Sequence, residues 1–183
     1  MRSFVAIPLP EPLLDALERL QRTIPAGRLS SRNTLHLTLA FVGEHPQAAI
    51  EALHDELSLI DLPSMEIRLA GLSTFGKRSP SVLFADVVGT PGLSALHQSV
   101  RAAMRRAGLP IPRERYRPHV TLARFAPGLS TETSDRILAF VGENAGFRAS
   151  AFFPDDFVLY ESILRPEGAI HEELARYPLK AER

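Results

Sequence analysis

The sequence predicts an α+β fold with largely antiparallel sheets, arranged as two lobes of a single domain over residues 1–183. Strand-like runs and helical stripes follow one another in the order β-α-β-α-β-β and then α-β-α-β-β-β. Neighbouring strands with no helix between them favour antiparallel pairing over a parallel, doubly wound sheet. No Gly/Ser-rich linker separates the two halves, so we expect them to pack against each other.

The elements follow from apolar periodicity. Strands are predicted at 3–9, 35–42, 65–72, 81–88, 119–125, 147–153, 157–164 and 173–179. Helices are predicted where apolar residues recur at helical spacing, at 11–22, 46–60, 93–108 and 133–141. Pro12 lies in the first turn of the first helix, and Gly108 ends the third, as the usual start and stop signals require.

The composition is that of an ordinary globular chain, with 45% hydrophobic and 23% charged residues. These values argue against a disordered or membrane protein. The first apolar run is broken by Pro8 and Pro10, so we expect no signal peptide and no membrane span, and predict a cytoplasmic protein. The absence of cysteine excludes disulfides, thiol nucleophiles and thiolate metal sites. Nothing in the sequence indicates an obligate protein partner.

A net charge of zero hides a basic segment. Seven arginines and one acidic residue, Glu114, lie between Arg101 and Arg124. A guanidinium binds phosphate bidentately, so this segment is suited to an anionic partner. A solvated helix face explains the same residues equally well, and both interpretations stay open at this point.

The most specific signal is a repeated pentad, HLTLA at 36–40 and HVTLA at 119–123. Chance predicts fewer than one His-x-Thr triplet in a chain of this composition. Alternate side chains of a strand share a face, so His36 and Thr38 point one way, as do His119 and Thr121. The apolar residues are expected on the other face: Leu35, Leu37, Leu39 and Phe41 in the first copy, Val120 and Leu122 in the second. A structural role accounts for either pentad alone, but two equivalent copies indicate a site.

Two histidines on opposing faces of a cleft suit a reaction that needs both an acid and a base. With pKa values near 6.5, one imidazole can be neutral while the other is protonated at pH 7. In-line displacement at phosphorus has this requirement, since a base activates the entering oxygen and an acid protonates the leaving oxygen. Hydroxyl and guanidinium groups would bind the non-bridging oxygens. The pentads therefore predict phosphoester chemistry.

The segments HLTLAFVGE and RYRPHVTLARF resemble the paired H-x-T-x motifs of the two-histidine (2H) phosphoesterase superfamily. More closely, the chain resembles the RNA 2',3'-cyclic phosphodiesterases, historically called 2'-5' RNA ligases. The likeness includes FVAIPLP, NTLHLTL and the late LYES, PEGA and LARYPL segments. It implies a bilobal, duplicated α+β unit, with two sheets facing a central cleft, helices outside, and one motif per lobe at 36–39 and 119–122.

The resemblance also implies the reaction and its residues. RNA or nucleotide 2',3'-cyclic phosphate ends would be hydrolysed to 2'-phosphates without metal, ATP or another cofactor. His36 would donate a proton to the leaving 3'-oxygen, and His119 would accept a proton from water. Thr38 and Thr121 would hold the phosphate.

Three further residues are candidate substrate contacts. Arg124 matches a family position that contacts substrate, although strict alternation puts it on the face opposite His119 unless a bulge intervenes. Arg117 and Tyr116, just before the second motif, are weaker candidates. The family often has tyrosine where this chain has His171.

Several alternatives stay open. The same site could join 2'-5' RNA ends, open another cyclic phosphodiester, or bind RNA ends without turnover. GLSTFGKR (71–78) matches the start of a P-loop, but Arg78 replaces the required Ser/Thr and a strand follows, so nucleoside triphosphate binding is not expected. The remaining histidines have no metal-site spacing and are interpreted as structural or surface residues: His45, His54, His97 and His171.

Overall fold

The computed structural model describes residues 1–76, 79–111, 113, 115–166 and 168–181. Lys77 and Arg78, where the P-loop match ends, lie outside the described residues. The strands are β1 (Arg2–Pro8), β2 (Arg28–Leu29), β3 (His36–Glu44), β4 (Leu69–Phe75), β5 (Val82–Val87), β6 (His119–Arg124), β7 (Asp156–Arg165) and β8 (Gly168–Pro178). The helices are α1 (Glu11–Gln21), α2 (Gln47–Ser58), α3 (Pro91–Arg106) and α4 (Thr131–Glu143), with a 3-10 turn at Arg32–Thr34.

The strands form two four-stranded sheets, in the orders β3-β1-β7-β8 and β2-β6-β5-β4. Every strand pairing within them is antiparallel, which confirms the α+β class. Each sheet contains one pentad strand, β3 in the first and β6 in the second. The extent of the domain, 1–183, stays a prediction.

The sheets do not coincide with the two halves of the sequence. β7 and β8 come from the end of the chain but join β1 and β3, because β1 pairs with β7 from Ser3↔Glu161 to Ala6↔Val158. β4 and β5 come from the first half but join the sheet of β6, in which β5 pairs with β6. Each sheet is therefore completed by strands from the other half, which ties the two halves together.

One predicted strand is wrong, two begin several residues away from the prediction, and one short strand was not predicted. Residues 147–153 form only two isolated bridges beside β4, Ala70↔Arg148 and Ile67↔Phe152. β4 begins at Leu69 rather than 65, and β8 begins at Gly168 rather than 173. The prediction began β8 too late because its first residues alternate without a clear apolar face. β2 has two residues, too few for any periodicity.

The core joins the apolar faces of both sheets to the helix stripes. Leu13, Leu17 and Leu20 of α1 are buried, as are Leu53 and Leu57 of α2. The apolar residues of the pentad strands lie in the same cluster: Leu37, Leu39, Val120 and Leu122. Burying these faces leaves the polar faces of β3 and β6 toward the cleft. Among the described residues, no helix combines the length and apolarity that a membrane crossing requires.

Candidate active site

A cavity of about 1010 Å³ lies between the two sheets. Its wall includes every residue singled out as a candidate from the motifs: His36, Thr38, Tyr116, Arg117, His119, Thr121 and Arg124. The two polar pentad faces thus meet at one place. The roles of these residues stay predictions, but the structure brings them together.

His36 begins β3 and is held in an aromatic cluster. Its ring stacks on Phe4, with 4.7 Å between centroids, and His171 meets it edge-on at 5.1 Å. Burial, together with the nearby His171, lowers the pKa of His36 to about 3, although a hydrogen bond with the Thr34 backbone opposes the shift. His36 is therefore neutral in the free protein at pH 7.

His119 begins β6 and has a defined tautomer. Its Nδ1 lies 2.7 Å from the Arg117 carbonyl oxygen, and because a carbonyl only accepts, Nδ1 must carry the proton. The neutral ring then presents its Nε2 lone pair, as a general base requires. Burial against Phe84 and Phe75 lowers the pKa of His119, and the bond to the Arg117 carbonyl raises it.

The imidazoles of His36 and His119 are oriented in the same way, each by a hydrogen bond to the backbone. His36 bonds the backbone of Thr34, and His119 bonds the backbone of Arg117. In each case the partner lies two residues before the histidine, just outside the strand. The internal repeat therefore extends from the pentads to the backbone that orients them.

Both pentad strands also bulge at the same position of the motif. On β3, Ala6 pairs with Thr38 and Val5 with Ala40, so Leu39 has no partner. On β6, Phe84 pairs with Thr121 and Leu83 with Ala123, so Leu122 has no partner. An extra residue shifts the alternation by one, so the side chains that follow change face.

The bulges decide where Arg124 and Phe41 point. Arg124 lines the cavity beside Thr121 and His119. Strict alternation would have put it on the opposite face, and the bulge at Leu122 removes that obstacle. Phe41 is its counterpart on β3 and also lines the cavity, with 59% of its surface exposed. The prediction that Phe41 lies on the core face is wrong for this reason.

Side chains from two helices donate hydrogen bonds to the carbonyl oxygens of the bulged residues. Gln21, buried at the end of α1, donates from Nε2 to the Leu122 carbonyl at 2.9 Å and to the Ser30 carbonyl at 2.8 Å. His97 on α3 donates from Nδ1 to the Leu39 carbonyl at 2.8 Å. His97 also lines the cavity. Its interpretation as a structural or surface residue did not include this. Gln21, a polar residue closing an apolar stripe, was a signal that sequence reasoning missed.

The side chains of Tyr116 and Arg117 both bind other residues of the protein. The Tyr116 ring lies on His97, with 3.7 Å between centroids, and its hydroxyl donates to the Thr38 carbonyl at 3.3 Å. The Arg117 guanidinium binds the Asp86 carboxylate at 2.9 Å and lies 4.8 Å from the Phe84 ring centroid. Arg117 therefore orients His119 through its carbonyl, while Asp86 offsets its charge.

His171 is a site residue that the sequence reasoning set aside. On β8 it contacts the rings of His36 and Phe4 edge-on and lines the cavity. Burial lowers its pKa as well. Because the predicted strand began only at 173, its alternation gave no indication that position 171 faces the cleft.

The cavity is strongly cationic. Its described wall contains no Asp or Glu, and its seven arginines come from six segments of the chain: Arg2, Arg28, Arg101, Arg115, Arg117, Arg124 and Arg165. The charge of Arg124 lowers the pKa of both His36 and His119. Within the described ranges, no three His, Cys, Asp or Glu side chains converge as around a metal ion. The arrangement can hold an anion between two imidazoles.

Comparison with known families gives a match over most of the chain. The model of the 2'-5' RNA ligase superfamily matches residues 9–160. A Thermus thermophilus relative named RNA 2',3'-cyclic phosphodiesterase is 30% identical over 199 residues, covering 100% of this chain and 92% of its own. A Thermotoga maritima relative of the same name is 26% identical, covering 95% and 93%. A third, from Geobacillus stearothermophilus, is 25% identical over 96% of this chain, which spans 56% of that relative's length.

Solved structures agree with this match. The Thermus thermophilus protein TT0787 superposes with a TM-score of 0.78 at 26% identity, over 100% of both chains. E. coli LigT complexed with phosphate gives a TM-score of 0.75 at 25% identity, covering 98% of this chain and 97% of LigT. LigT complexed with ATP gives the same TM-score, 0.75, at 25% identity over 98% of each chain.

Proposed function

Because this chain belongs to the 2'-5' RNA ligase superfamily, we propose that it hydrolyses the 2',3'-cyclic phosphates of RNA ends or nucleotides. One observation carries the proposal. Two imidazoles occupy equivalent positions of two bulged strands, are each oriented by the backbone two residues earlier, and face one cationic cavity. Relatives bearing the name of this activity, and LigT structures holding phosphate or ATP, support it.

The residues supply a complete acid and base pair. His119 takes a proton from water on Nε2 as the water oxygen forms its bond to phosphorus. The bond from phosphorus to the 3'-oxygen breaks, and His36 gives its proton to that oxygen, leaving a 2'-phosphate and a free 3'-hydroxyl. Thr38 and Thr121 donate to the non-bridging oxygens, and Arg124 offsets their charge.

The proton on His36 arrives with the substrate. In the free protein, burial and the surrounding cationic groups lower the pKa of His36 to about 3. A phosphate anion placed among His36, His119 and Arg124 favours the protonated imidazole, so it raises the pKa of His36. Binding of the anion is thus coupled to uptake of the proton that the leaving oxygen needs.

The test is hydrolysis of a 2',3'-cyclic nucleotide by the wild type and by His36→Ala and His119→Ala. Each substitution removes one general catalyst and should lower the rate about 10²- to 10⁴-fold. His54→Ala is the matched control, since His54 is exposed on α2 and bonds Tyr177 outside the cavity. Full activity in both site variants would exclude the proposal.

Two rival functions give different results in the same assays. A module that only binds RNA ends yields no product from the wild type, and its salt-sensitive RNA binding survives in both histidine variants. An enzyme whose main task is joining 2'-5' RNA ends uses the same residues in reverse. Supplying a cyclic phosphate end together with a 5'-hydroxyl end reveals this as a longer product.

A further inference from the structure

One wall of the cavity carries arginines that the proposed chemistry leaves unused. Arg101 is half-buried on α3, and Arg115 lies in the loop before β6; both line the cavity. Neither forms a salt bridge with any residue in the described part of the chain. Two cationic groups that line a cleft, with no acidic partner among the described residues, have charge available for a bound anion.

These two arginines lie outside the strands that carry His36 and His119. Arg101 lies one helical turn after His97 on the same face of α3, and its charge lowers the pKa of His97. Arg115 directly precedes Tyr116, whose ring lies on His97, and Arg115, Tyr116 and His97 all line the cavity. Arg124, in contrast, acts on both catalytic histidines. Of the seven cavity arginines, Arg124 therefore acts on both histidines, whereas Arg101 lies beside His97 and Arg115 precedes Tyr116.

The substrate explains two separate places for an anion. A cyclic phosphate is a monoanion, and the proposed mechanism already pairs it with Arg124 at the centre. The cavity, at about 1010 Å³, is at the upper limit of roughly 300–1,000 Å³ for small-molecule sites, so it has room beyond one nucleotide. An RNA end brings a second phosphate, the diester that joins the terminal nucleoside to its upstream neighbour.

We propose that Arg101 and Arg115 form a subsite for the phosphodiester group immediately upstream of the terminal nucleoside, so that the protein acts on RNA ends in preference to cyclic mononucleotides. This inference rests on the proposed phosphodiesterase function and names the substrate class within it. Guanidinium groups suit the role because they bind phosphate oxygens bidentately. The subsite also gives a binding role to part of the basic segment between Arg101 and Arg124.

The neighbouring arginines of α3 supply matched controls. Arg105 is exposed one helical turn after Arg101 and is not part of the cavity wall. Arg106 binds Glu56 on α2. Replacing Arg105 therefore removes the same charge from the same helix without touching the cavity, which separates a subsite from a general electrostatic attraction.

The experiment measures kcat/KM for a nucleoside 2',3'-cyclic phosphate and for a dinucleotide ending in that same group. The wild type should favour the dinucleotide, and Arg101→Gln should lower the ratio of the two kcat/KM values about tenfold, as expected for losing one charge-assisted phosphate contact. Arg115→Gln should lower the same ratio, and Arg101→Lys should lower it less. Arg105→Gln should leave the ratio as in the wild type.

The salt dependence provides a second readout. For the dinucleotide, the slope of log kcat/KM against log salt concentration should become shallower by about 0.7 in Arg101→Gln, the value for one contact to a single strand. A wild type without preference for the dinucleotide, or an Arg105→Gln effect as large as that of Arg101→Gln, would overturn the subsite. Absence of hydrolysis of both the mononucleotide and the dinucleotide by the wild type would instead refute the proposed function.

Discussion

The buried, neutral state of His36 makes the stability of the protein depend on pH in a defined way. Burial takes the pKa of His36 from 6.5 in the unfolded chain to about 3 in the fold. Because the folded pKa is the lower one, the unfolded chain binds the proton more tightly. The contribution of His36 to stability is full above pH 6.5 and is lost as the pH falls toward 3.

The replacement His36→Gln removes this titration and keeps a polar side chain of similar length. Each pH unit below 6.5 costs the wild type up to about 1.4 kcal/mol through this one group. Between pH 7 and pH 4 the loss due to His36 is therefore about 3 kcal/mol. The free energy of unfolding of the variant should lack this part of the decline, although His97, His119 and His171, whose pKa values are also lowered, still titrate.

The assay is urea unfolding of both proteins at several pH values between 7 and 4, with the difference between them plotted against pH. The account predicts that the wild type loses about 3 kcal/mol more than His36→Gln over this range. His54→Gln, which replaces an exposed histidine, is the control and should follow the wild type. Parallel curves for the wild type and His36→Gln would show that His36 is not buried as a neutral group, and would refute the reasoning.

Three further predictions concern the site. Gln21→Leu leaves the Leu122 and Ser30 carbonyls without its amide, so unfolding should become easier by about 1–3 kcal/mol, and kcat/KM should fall more than in Arg19→Leu, an exposed control on the same helix. Unchanged stability in Gln21→Leu would contradict the role of Gln21 at the bulge. Phe41→Ala should raise KM by about 5- to 150-fold, since stacking of a base on an aromatic ring contributes about 1–3 kcal/mol and each 1.4 kcal/mol is tenfold. Because Phe41 is exposed, the unfolding midpoint of the variant should stay near that of the wild type. An unaltered KM would exclude stacking. The pH profile of kcat/KM should be bell-shaped with its centre below pH 6.5, because the free enzyme lowers the pKa of both His36 and His119; a centre above 7 would contradict these shifts.

The polar faces of the two pentads could be predicted from the sequence because they depend on local periodicity. His36 and Thr38 share a face for the same reason as His119 and Thr121, and the helix stripes repeat the period of 3.6 residues. The internal repeat then made an opposing arrangement the simplest expectation. These features need no knowledge of which strand pairs with which.

What sequence reasoning missed depends on pairing between distant segments. The bulges at Leu39 and Leu122 exist only relative to β1 and β5, so the directions of Phe41 and Arg124 could not be predicted by alternation. The contact of His171 with His36 requires β8 to join the sheet of β3. Such pairings are long-range, and no local pattern carries them.

Product analysis with a 2',3'-cyclic nucleotide tests both the proposed reaction and the roles of the two histidines. The purified protein is incubated with the substrate in the presence of a chelator, beside His36→Ala and His119→Ala, and the two possible phosphate isomers are separated by chromatography. We expect 2'-phosphate alone from the wild type and only traces of it from the variants. A 3'-phosphate product, or undiminished hydrolysis in both variants, would contradict it.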